Sequence, residues 1–472
     1  MSTVLVWLRN DLRVADNPAL DAALRSDERV VALFVHEADK AIRVPGGAAR
    51  WWLHQSLTAL GKDLAESGVA LQVETGPATE VVDRVRRELE AGSVHWNRRY
   101  GPGQREVDAA IHSELRKKGV NVVSHAGNVL IEPWDIETGQ GRPYSVFTPF
   151  WKALKQRHFA RPLPRSPMEK SKVSTDEIDS DYTQPKWAGK LAQHWNVGES
   201  AAQQRLAQFL EHRLEDYPKG RDYPAWAVTS QLSAHLRSGE ISVRQIWHAA
   251  RTFAHAHPDS ASAVEKFLSE LAWRDFSYHQ LYHRDDIDNS PMQAKYADLK
   301  WRHAPMQLKA WQTGQTGIPI IDAGMRELWE TGYMHNRVRM LVASFLTKNL
   351  LIDWREGEHW FWDCLVDADD ANNPASWQWV AGIGLDAAPY FRIFNPVTQG
   401  ERFDPEGDYV RRWVPELSAL PDKFIHDPSR APENVLEQAG ITLDDSYPRA
   451  IVDLKDSRRR ALDAFGALSA DA

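Results

Sequence analysis

Short hydrophobic runs alternate with amphipathic stretches over the first quarter of the chain. The runs predict strands at residues 4–8, 30–36, 70–74, 94–96 and 120–124. Between them, apolar positions at helical spacing predict helices at residues 18–25, 48–67, 79–91 and 105–118. Strict alternation of strand and helix predicts a doubly wound parallel sheet with crossover helices, which is an α/β fold.

The pattern changes beyond residue 130. Residues 131–200 are interrupted by Pro162, Pro164 and Pro167, and residues 169–183 are polar and charged, which predicts a long connector. From residue 201 onward only helical periodicity remains, with helices predicted at 201–214, 263–282, 325–331, 338–351 and 358–366. We therefore predict an α/β domain over residues 1–130, a connector over 131–200 and an all-α domain over 201–472.

Composition narrows the class of protein. The chain has 472 residues, 43% of them hydrophobic, with no apolar run long enough to span a bilayer. Its net charge of −8 argues against a generally basic nucleic-acid binder, although a local basic groove would still suffice to bind DNA. The single cysteine, Cys364, rules out a disulfide framework. With no signal-peptide pattern at the start of the chain, we expect a cytoplasmic protein.

No Gly-rich dinucleotide fingerprint follows the first predicted strand, where the chain reads Arg9-Asn-Asp-Leu-Arg13 instead. A dinucleotide bound to the α/β domain is therefore not supported.

Residues 367–379 concentrate three carboxylates, two adjacent asparagines and two indoles. Asn372-Asn373-Pro374 is a turn signal, so this segment is expected to run from a helix end through a turn into another helix. A solvated acidic loop followed by a core tryptophan has the same pattern. A calcium loop does not, because Asn372 replaces its glycine and Gln378 its terminal glutamate.

Two further stretches could contact a ligand. Thr229-Ser-Gln-Leu-Ser233 opens a predicted helix and is typical either of an anion-binding helix start or of a plain N-cap. Glu270, Trp273 and Arg274 share one helical face. These three side chains could bind a planar base. Alternatively, Glu270 and Arg274 could form a surface ion pair beside a buried Trp273.

A third stretch is His335-Asn-Arg-Val-Arg-Met340, where Asn336 and Met340 share a helical face. Arg339 is expected to pair with an acid of the 367–379 stretch and Arg337 to meet a phosphate, unless both are ordinary solvated arginines. His279 and His283 are spaced as a metal pair, but no third ligand accompanies them, so no metal site is predicted.

Together these stretches resemble the DNA photolyase/cryptochrome family. The resemblance covers nearly the whole chain in order, and within the family the motifs are most similar to class I-type cyclobutane pyrimidine dimer photolyases. Its motifs lie at residues 7–13, 16–17, 229–233, 270–276, 311–320, 332–340, 353–358, 367–379 and 388–396.

The resemblance implies a U-shaped FAD in the helical domain. Its phosphates would be held by Tyr217, Thr229, Ser230, Gln231, Leu232 and Ser233. Its ribityl chain and isoalloxazine would be surrounded by Arg274, Arg339, Asp367, Ala368, Asp369 and Asn373. Asp367 would pair with Arg339, and Asn373 would face the flavin N5. Plant cryptochromes carry Asp and insect ones Cys at that position, so a non-ionising Asn favours repair over signalling.

The reaction implied by the resemblance is light-driven repair of UV-damaged DNA. Excited reduced FAD passes an electron to a pyrimidine dimer that has left the base stack; photolyases are among the standard examples of base-flipping enzymes. Glu270 would hydrogen-bond the dimer, Trp273 and Met340 would pack on it, and Asn336 would contact the lesion side. The expected DNA contacts are completed by Arg221, Arg274, Ser277, Arg337 and Gln399. Trp377, Trp354 and Trp301 match the family's electron-transfer chain.

Several details qualify the resemblance. The (6-4) photolyases carry a second histidine where this chain has Asn336, which points to the cyclobutane dimer as substrate. Gln231 replaces a common Arg, Phe267 a common Trp and Tyr333 another Trp. A second, antenna chromophore (folate, deazaflavin or flavin) is expected, with its identity left open. We expect a monomer acting on single- or double-stranded DNA; the alternative is a cryptochrome-type blue-light receptor that uses FAD for signalling.

Overall fold

The computed structural model describes residues 2–26, 28–165, 182–387 and 392–470. The amino-terminal part is a parallel five-stranded sheet with strand order β3-β2-β1-β4-β5. Its strands are β1 (Thr3–Leu8), β2 (Arg29–Glu37), β3 (Ala70–Gly76), β4 (Ala91–Asn97) and β5 (Asn121–His125). The crossover helices are α1 (Pro18–Leu24), α2 (Gly47–Glu66), α3 (Ala78–Glu88) and α4 (Pro102–Lys117).

Both faces of this sheet are buried because side chains alternate along each strand. Val4, Val6 and Leu8 of β1 pack in one cluster with α1 and α2. Leu5 and Trp7 point the other way and pack with α3 and α4. The predicted doubly wound sheet is therefore confirmed, and its element boundaries differ from the predicted ones by only a few residues.

A buried charge network occupies the carboxyl ends of β1, β2 and β4. Arg99 pairs with Glu37 at 2.7 Å and with Asp108 at 2.6 Å, and Arg9 lies 3.2 Å from Asp108. Burial lowers the pKa of Arg9 to about 10, although Asp108 opposes that shift. Side chains thus fill the edge at which doubly wound sheets bind ligands.

The described residues that follow the sheet form helices and loops. The helices are α5 (Phe147–Leu154), α6 (Glu199–His212), α7 (Tyr217–Gly220), α8 (Ser233–Ser238), α9 (Val243–Ala256), α10 (Ala261–His283), α11 (Pro305–Gln312), α12 (Pro319–Thr331), α13 (Asn336–Ser344), α14 (Trp354–Cys364), α15 (Asn372–Ala381), α16 (Pro396–Phe403), α17 (Asp408–Trp413), α18 (Asp422–Ile425), α19 (Glu433–Gln438) and α20 (Leu454–Ala470). Helices were predicted from residue 201 onward, whereas α5 lies within the predicted connector.

One predicted helix is divided. Residues 338–351 were expected to form a single α-helix, but α13 ends at Ser344 and a π-helical turn, Phe345–Asn349, follows it. All five residues of that turn are buried, including the polar Thr347, Lys348 and Asn349.

Backbone contacts divide the chain into two compact units. The first unit comprises Met1–Glu215, Ser230–Asp285 and Val366–Ala371, and the second comprises Asp216–Thr229, Asp286–Leu365 and Asn372–Ala472. Residues 166–181 of the predicted connector and 388–391 of the last motif lie outside the described residues.

No helix in the described part of the chain is both long enough and apolar enough to cross a membrane.

Candidate active site

Helix α10 presents one set of predicted site residues in the first unit. Apolar side chains such as Leu268, Leu271 and Phe276 bury one side of this helix. On another side, the ring of Trp273 stacks on that of Phe147, with centroids 3.8 Å apart and planes 10° apart. Trp273 is only half-buried, so it keeps a face beyond its stacked partner.

Glu270, one turn before Arg274, pairs instead with Lys266, whose Nζ lies 3.0 Å from its Oε1. The Glu270 side chain is partly exposed at 29%. Ser277 is buried and donates its hydroxyl hydrogen to the Trp273 carbonyl at 3.1 Å. Phe147 of α5 therefore fixes one face of the Trp273 ring, and Glu270 lies in a surface ion pair.

Arg274 is held by several groups of the first unit. Its Nη1 donates to the Asn128 carbonyl at 2.8 Å and to Asp275 Oδ1 at 3.2 Å, and its guanidinium lies 4.7 Å from the Tyr278 ring centroid. Burial lowers the Arg274 pKa, but Tyr278 and the nearby carboxylates outweigh burial, so the net shift is upward. Its buried Nε has no hydrogen-bond partner among the described residues and remains available as a donor.

Asp275 lies on the same helix with its side chain fully enclosed. Its Oδ2 accepts a hydrogen bond from the Leu130 backbone at 2.6 Å. Burial raises the pKa of Asp275 to about 6, although Arg274 and the backbone hydrogen bonds oppose that rise.

The acidic segment Val366–Ala371 is not a solvated loop. Asp367 and Asp369 are buried, and Arg237 Nε donates to the Ala368 carbonyl at 3.2 Å. Burial lowers the pKa of Arg237, partly offset by Asp370 and Asp369. Asp370 accepts from Gln104 Nε2 at 2.8 Å, and burial raises the pKa of Asp370. Arg237, which sequence reasoning missed, thus binds the backbone of an acidic segment distant in sequence.

The segment that opens α8 contacts a second arginine that the sequence did not predict, Arg205 of α6. Gln231 adopts a left-handed backbone conformation, with φ of 52°, and its Oε1 accepts from Arg205 Nη1 at 2.8 Å. The Leu232 backbone donates to Ser230 Oγ at 3.4 Å, and Ser233 begins α8. A guanidinium therefore lies beside Gln231, where the resemblance predicted that an arginine was missing.

In the second unit, α13 begins at an unusual cap. His335 Nδ1 accepts from the Arg337 backbone at 3.2 Å, and burial lowers the pKa of His335 to about 4, so the ring is neutral. Asn336 is exposed and Met340 half-buried. The helix start is thus fixed by a histidine that cannot readily become charged.

The two arginines of α13 are both anchored. Arg337 Nη2 lies 2.6 Å from Asp222 Oδ1, and its guanidinium is 4.3 Å from the Phe403 ring centroid. Arg339 Nε donates to the Met334 carbonyl at 2.7 Å. Neither is an ordinary solvated arginine. Arg339 and Asp367 belong to different units, and their predicted pairing remains a prediction.

Asn373 is fixed by a buried glutamate. Its Nδ2 donates to the Glu358 carbonyl at 3.1 Å and to Glu358 Oε1 at 2.7 Å. Trp377, one turn later on α15, contacts Phe361 with ring centroids 5.0 Å apart. The buried Trp377 Nε1 has no hydrogen-bond partner in the described ranges. Packing is tight here, because a Cβ on Gly357 would lie 2.1 Å from the Trp377 ring.

The remaining predicted residues also lie in the second unit. Trp354, which is 1% exposed, is the first residue of α14, and Asp353 caps that helix by accepting from the Arg355 backbone at 3.0 Å. Trp301 is half-buried in the loop before α11. The others are Tyr217, Thr229 and Gln399, the last of which lies on α16. Tyr217 is buried, and its ring centroid lies 5.5 Å from the Arg221 guanidinium.

The two histidines at metal-pair spacing have other partners. His279 Nε2 accepts from the Tyr144 backbone at 3.0 Å, and His283 Nε2 lies 3.3 Å from the Pro133 carbonyl. Within the described residues, no group of three or more potential metal ligands occurs.

These residues fit an FAD. Arg205 and Arg237 offer positive charge for phosphates, and buried carboxylates at Asp367 and Asp369 suit sugar-like hydroxyls. Arg274 Nε in the first unit and Trp377 Nε1 in the second have no acceptor among the described residues, and each is a buried donor of the kind that a ligand satisfies.

Comparison with known proteins agrees with this donor set. Residues 4–169 match the DNA photolyase family model, and residues 267–467 match the FAD binding domain of DNA photolyase. The chain is 44% identical to a deoxyribodipyrimidine photo-lyase of Agrobacterium fabrum, over 98% of both chains. It is 36% identical to Cryptochrome-1 of Arabidopsis thaliana, over 98% of this chain and 70% of the relative.

A solved structure extends the comparison. A bacterial class III photolyase from Agrobacterium tumefaciens matches with a TM-score of 0.95 and 44% identity, covering 99% of this chain and 98% of that one. The chain belongs to the DNA photolyase/cryptochrome family, and the matched domain is an FAD-binding one. The expected similarity to class I is not supported, because this match is a class III enzyme.

Proposed function

We propose that this protein is a deoxyribodipyrimidine photo-lyase that repairs cyclobutane pyrimidine dimers in UV-damaged DNA. Bound FAD, in its reduced form, would supply the light-driven electron that opens the cyclobutane ring. The observation that carries the proposal is the amide of Asn373, which Glu358 holds in one orientation.

The orientation matters because the Glu358 backbone carbonyl, which Asn373 Nδ2 also contacts, accepts hydrogen bonds and cannot donate them. Glu358 therefore selects the Nδ2 side of Asn373, which leaves Oδ1 as an acceptor for a ligand N–H. A reduced flavin carries such a hydrogen at N5 and an oxidised flavin does not. Asn373 would favour the reduced flavin that repair requires. An ionisable residue at this position would instead favour switching between the oxidised and reduced states of the flavin.

The lesion would be held largely from α10. Trp273, braced by Phe147, offers a flat apolar face to the fused pyrimidines. Glu270 offers a carboxylate one turn away, and Arg274 a spare N–H. Asn336 and Met340 of α13 remain assigned to contacts with the lesion. A damaged pair leaves the stack at lower cost than a normal one, which would give selectivity.

The DNA backbone would meet Arg221, Arg337 and Gln399, and Ser277 is also assigned to DNA contact. Arg337 is already positioned by Asp222 and Phe403, so little side-chain entropy remains to be lost on binding. Prepositioned cations of this kind bind phosphate without reading sequence.

The electron-transfer assignment is part of the same proposal. Trp377, Trp354 and Trp301 range from buried to half-buried, which suits a route from the flavin to solvent.

We assign FAD binding to Tyr217, Thr229–Ser233, Arg339 and the 367–369 segment. The proposed domains are residues 1–130, the connector 131–200 and residues 201–472.

The remaining assignments are broader. The match to a class III structure supports a class III type of photolyase. We also propose an antenna chromophore of unidentified type, and a monomer that acts in the cytoplasm on single- or double-stranded DNA. The lone buried Cys364 is compatible with a reducing compartment.

Irradiated oligo(dT) mixed with the FAD-loaded, reduced protein tests the function. Thymine absorbance should recover in blue light and stay low in the dark. If the flavin photoreduces normally but absorbance does not recover, the alternative is favoured, which is a blue-light receptor of cryptochrome type.

A further inference from the structure

The second unit contains a cavity that the proposed repair reaction does not use. Its volume is about 400 Å³, and α11, α12, α14 and α17 contribute its walls. That volume lies in the range of small-molecule sites. The lining residues that matter here are Lys309, Met325, Arg326, Trp329, Trp360 and Trp413.

Indoles form much of the wall. Trp329 stacks on Trp360, with ring centroids 5.9 Å apart and planes 6° apart. Although stacked, Trp329 is 56% exposed, which is unusual for so large an apolar side chain. Met325 beneath it is fully buried and adds an apolar floor. A flat aromatic ligand would cover the surface that the stack leaves in contact with water.

Two donors of this wall lack acceptors. Arg326 Nε donates to the Gly314 carbonyl at 3.1 Å, and Arg326 Nη1 lies 2.8 Å from Glu416 Oε1. Arg326 Nη2 and Trp413 Nε1 are both buried and have no hydrogen-bond partner in the part of the chain that the structure describes. Buried N–H groups normally have an acceptor, so the pair points to a missing oxygen atom.

The position of the Arg326 guanidinium depends on a glycine. Gly314 has a φ of 63°, and a Cβ there would lie 2.8 Å from Arg326 Cγ and from the Asp322 carbonyl. Only glycine leaves room for this course of the arginine side chain. On the rim, the exposed Lys309 adds positive charge, whereas Glu330 on the wall disfavours a ligand carrying more than one negative charge.

We propose that this cavity binds a small planar aromatic monocarboxylate. The ring would lie against the indole of Trp329, and the carboxylate oxygens would accept from Arg326 Nη2 and Trp413 Nε1. Charge-assisted hydrogen bonds to two fixed donors would give the site its preference for an anion over a neutral ring of equal size.

Calorimetric titration of the FAD-containing full-length protein with 2-naphthoate tests the proposal. We expect one saturable site, and binding of the neutral 2-naphthamide weaker by about tenfold or more. Trp413→Phe keeps the ring and removes the donor, and Trp329→Leu removes the exposed aromatic face; each should weaken 2-naphthoate binding by about tenfold.

Trp187→Leu is the matched control, because Trp187 is another exposed indole, at 42%, and lies in the first unit. Its affinity for 2-naphthoate should equal that of the unaltered protein. Absence of saturable heat with millimolar 2-naphthoate overturns the proposal. So does equal affinity for the amide, or unchanged affinity in both Trp413→Phe and Trp329→Leu with normal FAD content.

Discussion

The side-chain nitrogen of Asn373 lies 2.7 Å from Glu358 Oε1 and 3.1 Å from the carbonyl of the same residue. Both contacts use the amide hydrogens, so the carbonyl side of Asn373 remains for a ligand. Glu358 is fully buried, and it therefore fixes an amide that solvent would otherwise let rotate.

Replacing Glu358 by Gln should loosen that preference. A glutamine can donate as well as accept, so the Asn373 amide can turn and present its nitrogen to the flavin. We expect reduced FAD in Glu358→Gln to reoxidise in air about tenfold faster, which corresponds to losing one hydrogen bond. Stopped-flow absorbance after chemical reduction measures this rate.

Glu356→Gln is the control for that experiment, because Glu356 is exposed on the same helix. Reduced FAD in this control should reoxidise at the rate measured in the unaltered protein. If FAD in Glu358→Gln also reoxidises at that rate, the orientation of the Asn373 amide does not govern the redox state of the flavin.

Glu270→Ala should impair repair while leaving the fold and FAD content intact. Glu270 is partly exposed and forms a surface ion pair with Lys266, and such pairs contribute little stability. Losing a carboxylate hydrogen bond to the lesion should lower the repair yield per photon about tenfold or more. Glu265→Ala, on the same helix, should repair normally; loss of flavin from Glu270→Ala would instead make Glu270 structural.

Trp301→Phe should slow photoreduction of oxidised FAD and spare repair by protein reduced beforehand. Phenylalanine retains the ring packing but is much harder to oxidise than an indole. Flash absorbance of the flavin measures the first rate, and dimer repair under anaerobic light measures the second. Trp187→Phe should change neither, and an unaltered photoreduction rate in Trp301→Phe would remove this residue from the chain.

Asp275 should make stability depend on pH. Its folded-state pKa of about 6 exceeds the unfolded value, so the native state binds the proton more tightly. The stability that this proton contributes is present at low pH and is lost as pH rises through about 6. The full effect is at most about 3 kcal/mol, from a shift of about two pKa units.

Asp275→Asn cannot ionise, yet its Oδ1 can still accept from the Leu130 backbone. The free energy of unfolding of the variant, relative to the unaltered protein, should therefore rise between about pH 4 and pH 7. Urea unfolding of both proteins at several pH values measures this difference. A difference that does not vary with pH would show that Asp275 titrates normally.

The sheet and most helices could be predicted because their signals are local. Alternation over five short apolar runs and helical spacing between them correspond directly to β1–β5 and α1–α4. The π-helical turn after Ser344 could not be predicted in this way, because a turn of five residues is too short to show a period of its own.

Site partners were harder to predict because they lie far apart in sequence. Nothing in the pattern indicates that Arg205 reaches Gln231, that Arg237 reaches Ala368, or that Glu358 holds Asn373. Glu270 illustrates a nearer ambiguity: Lys266 and Arg274 lie four residues to either side of it, and spacing alone does not say which one pairs with it.

The central claim is tested most directly with an oligonucleotide that carries a single thymine dimer, incubated with the reduced, FAD-loaded protein and analysed by chromatography. The account predicts conversion to the undamaged oligonucleotide in blue light and none in darkness, with Glu270→Ala markedly slower. An unconverted dimer after illumination of protein whose FAD is bound and reduced would contradict it.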